Sequence, residues 1–149
     1  MAKFHTYLNF KGNTEEAFNF YRSVFGGNFT SLMKFKEIPQ SAGLSEEQNK
    51  KMMEHADKIM HICLPIGNGH DLMGTDSIRT ELTVGNNVHI SIAPDSREEA
   101  DKLFKGLSEG GKIGMPLEDS FWGAYFGTFT DKFGIHWMVN FDKNVSSEK

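Results

Sequence analysis

Residues 4–10 alternate. Phe4, Thr6, Leu8 and Phe10 fall on one face of an extended strand, and His5, Tyr7 and Asn9 fall on the other. The period then changes. Ala17, Phe20, Tyr21, Val24 and Phe25 recur at helical spacing and predict a helix with one buried stripe. Gly12-Asn13 bends the chain ahead of it, and Thr14 is placed to act as N-cap. Glu15 and Glu16 suit the positive end, and Gly26-Gly27 stops the helix. The Phe/Leu face of the strand is expected to lie under this helix. The His/Tyr/Asn face must then look to solvent or into a cavity.

A less regular strand follows over 28–36 and ends at Ile38-Pro39, since proline cannot continue a ladder and restrains the residue before it. Residues 40–58 are polar and helix-forming. A short helix starts near Leu44-Ser45-Glu46-Glu47-Gln48, with Met52, Met53 and Ala56 as its apolar side. This insertion reads as an exposed loop, a lid or a dimer contact. Strands over 58–65 and 70–73 pair as a hairpin about Gly67-Asn68-Gly69. A join is expected near 80–87. From 88 the opening pattern returns. Val88, Ile90 and Ile92 face a helix, and His89, Ser91 and Ala93 face away. Pro94-Asp95-Ser96 bends and caps the chain, and a helix over 98–108 is built on Ala100, Leu103, Phe104 and Leu107. Strands are predicted over 112–117, 122–130 and 135–141, with a polar, frayed tail over 142–149.

The recurrence reads as a duplication. Val88-His89 repeats Phe4-His5, Glu98-Glu99-Ala100 repeats Glu15-Glu16-Ala17, and Gly110-Gly111 repeats Gly26-Gly27, at offsets that differ by a single residue. The order is βαβββ twice, which predicts an α+β fold. Residues 1–149 form one domain, with a first module over 1–80 carrying the insertion at 38–58, and a second over 86–142. Two such modules can set their sheets side by side as a curled mixed sheet around one cavity, with helices outside. His5 and His89 would then both point inward.

Composition narrows the function. With 38% hydrophobic residues and thirteen Phe, the chain can bury a real core. No apolar run is long enough to span a bilayer, and the N-terminus does not read as a signal peptide, so no membrane partner is expected. The formal charge is -4 and Lys/Arg form no stripe, which argues against nucleic acid. A single cysteine, Cys63, excludes an intramolecular disulfide and fits a cytoplasmic protein.

Few side chains announce chemistry. His61 and Cys63 share a strand face, as a thiol and its activating base would, but so do ordinary neighbours. Tyr7, Trp122 and Tyr125 offer broad faces with a polar handle for a ligand, or for packing. Gly67-Asn68-Gly69-His70 joins strands and opens no helix, so it reads as a turn and not as a phosphate loop. His55 and His70 are expected at the surface.

Tyr7-Leu8-Asn9-Phe10, Glu15-Glu16-Ala17-Phe18, Phe25-Gly26-Gly27, Ile59-Met60-His61, Leu72-Met73-Gly74-Thr75-Asp76, Phe121-Trp122-Gly123, Phe133-Gly134 and Trp137-Met138 resemble the vicinal oxygen chelate superfamily, which holds glyoxalase I, bleomycin-resistance proteins and extradiol dioxygenases. Within it the chain is most similar to the PhnB-like branch, some members of which carry the label 3-demethylubiquinone 3-methyltransferase. No glycine-rich loop follows the first strand to receive a nucleotide-like methyl donor. The resemblance implies a homodimer. It also implies a metal position, held in glyoxalase-like enzymes by two His and two Glu. His5 and His89 fit the two His positions, whereas Met73 and Met138 fall at the two Glu positions. Thioethers are weak partners for the ions such sites use, so no metal or other cofactor is expected.

The sequence therefore predicts a small-molecule binding protein whose pocket is lined by His5, Tyr7, His61, Met73, His89, Trp122 and Met138. One alternative is a metal-dependent lyase, isomerase or dioxygenase that holds a divalent metal on His5 and His89 and acts on a substrate with vicinal oxygens. The other is a structural or interaction protein.

Overall fold

A computed structural model describes residues 1–39, 43–78 and 81–142. The chain divides into two compact units, Met1–Thr83 and Val84–Lys149. The first holds β1 (Thr6–Phe10), α1 (Thr14–Phe25), β2 (Ser31–Lys34), α2 (Glu46–Glu54), β3 (Ile59–Gly67) and β4 (His70–Asp76). The second holds β5 (Ile90–Ile92), α3 (Arg97–Ser108), β6 (Lys112–Asp119), β7 (Tyr125–Thr130) and β8 (His136–Phe141). Each unit makes one four-stranded mixed sheet, in the orders β1-β4-β3-β2 and β5-β8-β7-β6. In both, the first strand runs parallel to the last and the other pairs are antiparallel. The α+β reading with two βαβββ topologies is what the chain adopts.

Alternation decides which face each helix covers. Leu8, Phe10, Ile62, Leu64 and Leu72 are buried on one side of the first sheet, with Ala17, Phe18 and Tyr21 of α1. Register with Leu8 and Ile62 puts position 74 on that side, and a side chain there would strike Phe18, its Cβ falling 2.6 Å from the ring. The second unit repeats the device with different residues. Trp137, Val139 and Phe129 meet Leu103, Phe104 and Leu107 of α3, and a Cβ on Gly127 would lie 2.7 Å from the Phe104 ring. In each sheet a glycine is the socket for a helix aromatic.

The cap of α1 differs from expectation. Thr14 is the first helical residue, and Asn13 before it makes no side-chain cap bond. The orphan donors are met by Asp76, at the end of β4 and 62 residues on from Thr14. Its Oδ1 accepts from Gly12 N (2.9 Å), Thr14 N (3.1 Å) and Thr14 Oγ1 (2.6 Å), and its Oδ2 accepts from Ile59 N (2.8 Å). A buried anion sits where the helix dipole is positive. At α3 the cap is local, as predicted: Ser96 Oγ accepts from Glu99 N. Asp131 is the second unit's buried carboxylate. It accepts from Phe133 N and Ile135 N across the turn and from Trp137 Nε1 at 2.8 Å.

Other predicted boundaries shift. The strand expected over 28–36 shortens to Ser31–Lys34, because Glu37 accepts from Lys34 N and closes a 3-10 turn over Phe35–Glu37. Phe4 and Val88 were expected under the helices but are 82% and 72% exposed, since β1 and β5 begin only after them. The helix in the insertion forms over Glu46–Glu54, with a Ser45/Gln48 capping box. The Asn68-Gly69 turn has both residues at positive φ, as a tight hairpin requires. Of the frayed tail predicted over 142–149, residues 143–149 lie outside the described residues, as do 40–42 of the insertion.

Two outcomes follow from this packing. Asp76→Ala strands four donors and should lower stability by about 3 kcal/mol or more, read by urea denaturation. Gly74→Ala pushes a methyl into Phe18 and should cost about 1–3 kcal/mol in the same assay. Unchanged midpoints would show that these contacts do not carry the packing.

Candidate functional site

The helix-free side of the first sheet holds four of the predicted site residues. Register places Tyr7 beside Met73, Met73 beside Cys63, and Cys63 beside Ser31, in one row across all four strands. His61 shares this face and its ring centroid lies 6.0 Å from that of Tyr7. His5 stands just ahead of β1, at the level of Asp71. Its Nδ1 accepts from Asp71 N (3.2 Å) and lies 3.7 Å from Asp71 Oδ2, so the neutral ring carries its proton on Nε2. His70 is 6.1 Å away and its Nε2 is bonded to Thr6 Oγ1 (2.9 Å), which leaves it half-buried and not at the surface as expected. His55 is likewise half-buried, at the end of α2.

The second sheet carries the other three. Met138 pairs with Ser91 and with Thr128 on the helix-free side. His89 precedes β5 and lies against His136, with centroids 5.4 Å apart. His136 is fixed at both nitrogens: Nε2 donates to Gly85 O (3.0 Å), and Nδ1 then accepts from Thr130 Oγ1 (2.8 Å). Trp122 belongs to a turn before β7 and not to a strand. It reaches this face by packing edge-on to Phe126 at 5.5 Å, and it is 53% exposed. Asn140, two residues beyond Met138, shares the face. Its Oδ1 is buried and has no hydrogen-bond partner among the described residues.

Asp71, His136, Phe126 and Asn140 are the residues that sequence reasoning did not collect into the site. The signal was the period of two on β4 and β8. It places Asp71 with Met73, and His136 and Asn140 with Met138. Tyr125, weighed as a ligand surface, points the other way. Its phenol donates to Asp101 of α3, and the Arg97 guanidinium lies 3.8 Å over its ring while forking onto Asp119 at 3.0 and 2.8 Å. This cluster clamps α3 to β6 and β7. Cys63 is buried, and among the described residues no hydrogen bond joins it to His61, so it behaves as a small hydrophobe.

The donor set does not fit a resident metal. Met73 and Met138 occupy the mid-strand positions that the resemblance gives to carboxylates. Among the described residues, no three His, Cys, Asp or Glu side chains gather as ligands. No described helix is long and apolar enough to cross a membrane.

A repeated βαβββ unit with a glycine-seated helix on one side and a His/aromatic/Met face on the other defines a known scaffold. Residues 3–139 match the model of the Glyoxalase/Bleomycin resistance protein/Dioxygenase superfamily, and the chain belongs to that family. It is 33% identical to Protein YjdN of Escherichia coli K12 over 143 residues, covering 95% of this chain and 97% of that protein. Among solved structures, protein PA1353 from Pseudomonas aeruginosa is 36% identical with a TM-score of 0.79, covering 95% of this chain and 98% of that one. The PhnB protein from Bacillus cereus is 27% identical with a TM-score of 0.71, covering 94% and 99%.

The Tyr125 clamp gives a pH signature. The hydrogen bond to Asp101, then burial, raises the Tyr125 pKa above its ordinary value. The contribution is therefore present below the unfolded pKa and lost as pH rises through the higher folded one. Ultraviolet titration of the native protein minus Tyr125→Phe should show this phenol ionising above the ordinary tyrosine range. Ionisation at the ordinary value would show that the clamp does not form in solution.

Proposed function

We propose that this protein binds a small molecule against the helix-free faces of its sheets and does so without a resident metal. The observation that carries this is Asn140 Oδ1. A buried carbonyl oxygen without a donor costs free energy, and a bound N–H or O–H group would satisfy it. Its surroundings suit a ligand of mixed character. Met138, Phe126 and Trp122 supply apolar and aromatic surface, and Ser91 and Thr128 supply hydroxyls. In the first unit Tyr7, His61, Met73 and His5 offer a similar mixture.

The same reading places the chain in the PhnB-like branch, supported by its likeness to the Bacillus cereus PhnB protein, and assigns it no methyl transfer. It includes a homodimer in the cytoplasm. The edge strand β6, with Ile113 and Met115 half exposed, and the free thiol of Cys63 support those parts.

The test joins metal analysis of the native protein with a thermal-shift screen of a metabolite library. A compound that raises Tm should lose about tenfold or more in affinity in His5→Ala, His89→Ala or Asn140→Leu, a loss of about 1.4 kcal/mol. Stoichiometric metal that disappears in both histidine variants would overturn the metal-free reading. A compound whose affinity is indifferent to all three variants would remove these faces from the site.

A further inference from the structure

On the helix-free side of the second sheet, register sets three unlike side chains in one row. Glu118 of β6 pairs with Phe126 of β7, and Phe126 pairs with Asn140 of β8. Alternation keeps all three on that side. Their strand neighbours Asp119 and Tyr125 turn the other way, onto Arg97 and Asp101 of α3, and Val139 is buried in the core. An acid, an aromatic ring and a primary amide therefore stand side by side, with adjacent strands about 4.8 Å apart.

The turn between β6 and β7 adds a wall to this row. Ser120 N donates to Ala124 O at 2.8 Å and Gly123 N donates to Ser120 O at 3.1 Å. Ser120 Oγ also donates to Ala124 O and accepts from Ala124 N. These bonds hold the turn that carries Phe121 and Trp122. The Trp122 ring stands at 64° to Phe126 and at 88° to Phe121, with centroids 5.5 and 5.2 Å apart. Rings at such angles meet edge to face, so in each pair one ring keeps both faces clear of the other. Trp122 is half exposed and Phe121 almost wholly so. The result is a corner of aromatic faces beside the row.

Three features of this corner ask for the same guest. Aromatic faces attract a cation that comes within about 6 Å of the ring centroid, and Trp does so most strongly. Glu118 supplies a carboxylate that makes no ion pair among the described residues. Asn140 Oδ1 is buried and lacks a donor. A neutral alcohol would answer Asn140 alone. A carboxylate would answer none of the three and would be repelled by Glu118. A quaternary ammonium suits the rings and the charge but brings no N–H to the amide. An ammonium that bears N–H answers all three. Seated over Phe126, it is one strand spacing from Glu118 on one side and from Asn140 on the other. Met138, one row along the sheet, extends an apolar floor for the group that carries the nitrogen.

We infer that this corner of the second unit is a binding site for a primary or secondary amine in its protonated form, carried on a small apolar group. The inference rests on the reading that the helix-free faces bind small molecules, and it names the chemical class for one of them.

The test is an NMR titration of the full chain at neutral pH and low salt, following the Trp122 indole N–H and the Asn140 side-chain amide. The probes are butylammonium, tetramethylammonium, butanol and butyrate. Butylammonium should give saturable shifts at both signals, with an affinity about tenfold above that of tetramethylammonium or butanol, and butyrate should give none. Glu118→Gln and Trp122→Leu, both at exposed positions, should each lower the butylammonium affinity about fivefold or more, read at the Asn140 amide. Glu109→Gln at the end of α3 should leave it unchanged. Equal affinity for butylammonium and butanol, or binding of butyrate in place of butylammonium, would overturn the amine class and leave a small-molecule face standing. Unchanged affinity in both Glu118→Gln and Trp122→Leu would put the amine elsewhere and overturn it too. No saturable shift from any probe at tens of millimolar would overturn it together with the small-molecule reading of this face.

Discussion

The first unit depends on a buried carboxylate. Asp76 ends β4 and gathers the β1–α1 bend, the first turn of α1 and the first residue of β3 by hydrogen bonds of 2.6–3.1 Å. Four donors that would otherwise be stranded in a dry place converge on one charge. The helix is thereby fixed to the sheet at its N-terminus, and Phe18 is delivered over Gly74. The same anchorage sets the direction of β1, whose other side presents Tyr7. Asp131 performs a comparable task in the second unit, though it organises a turn and a tryptophan and not a helix end.

The two units share topology but not furnishing. Both sheets place a methionine mid-strand on the open side and a pair of histidine rings at the start of the parallel strands. The pairs are His5 with His70 and His89 with His136. Around Met73 the neighbours are Tyr7 and Cys63. Around Met138 they are Ser91 and Thr128. The packing device recurs, Phe18 against Gly74 and Phe104 against Gly127, while the residues around the two methionines differ, so what holds the fold is separate from what lines its helix-free faces. This separation lets one fold host many unrelated activities, and it is why family membership here indicates a scaffold more than a reaction.

Three of the histidines make hydrogen bonds within their own unit. His136 spends both nitrogens on Thr130 and Gly85, and His70 and His5 each spend one on the first unit's backbone or hydroxyls. The neutral rings of His5 and His136, bonded in this way, have no lone pair left for a metal unless a bond is given up. Met73 and Met138 add no hard donor. What the open faces retain is shape, aromatic surface and a few hydrogen-bonding points, the ingredients of recognition.

The elements and their order can be read from the chain's local pattern. Periodicity of two and of 3.6 is written locally, so strands, helices and glycine stops were legible from residues a few positions apart. The faces were legible too: Tyr7, Met73 and His61 do share one side. Where long-range contacts rule, local reading failed. Thr14 looked like a cap, but the cap comes from Asp76, 62 residues later in the chain. Tyr125 looked available, but Arg97, Asp101 and Asp119 converge on it from α3 and β6. Phe4 and Val88 matched the apolar face in pattern, yet the ladder starts after them. Likewise, nothing in the spacing of Glu118, Phe126 and Asn140 marks a common row. Only the pairing of β6, β7 and β8 decided that, because proximity in a folded chain is set by which buried groups must be satisfied together and not by distance along the sequence.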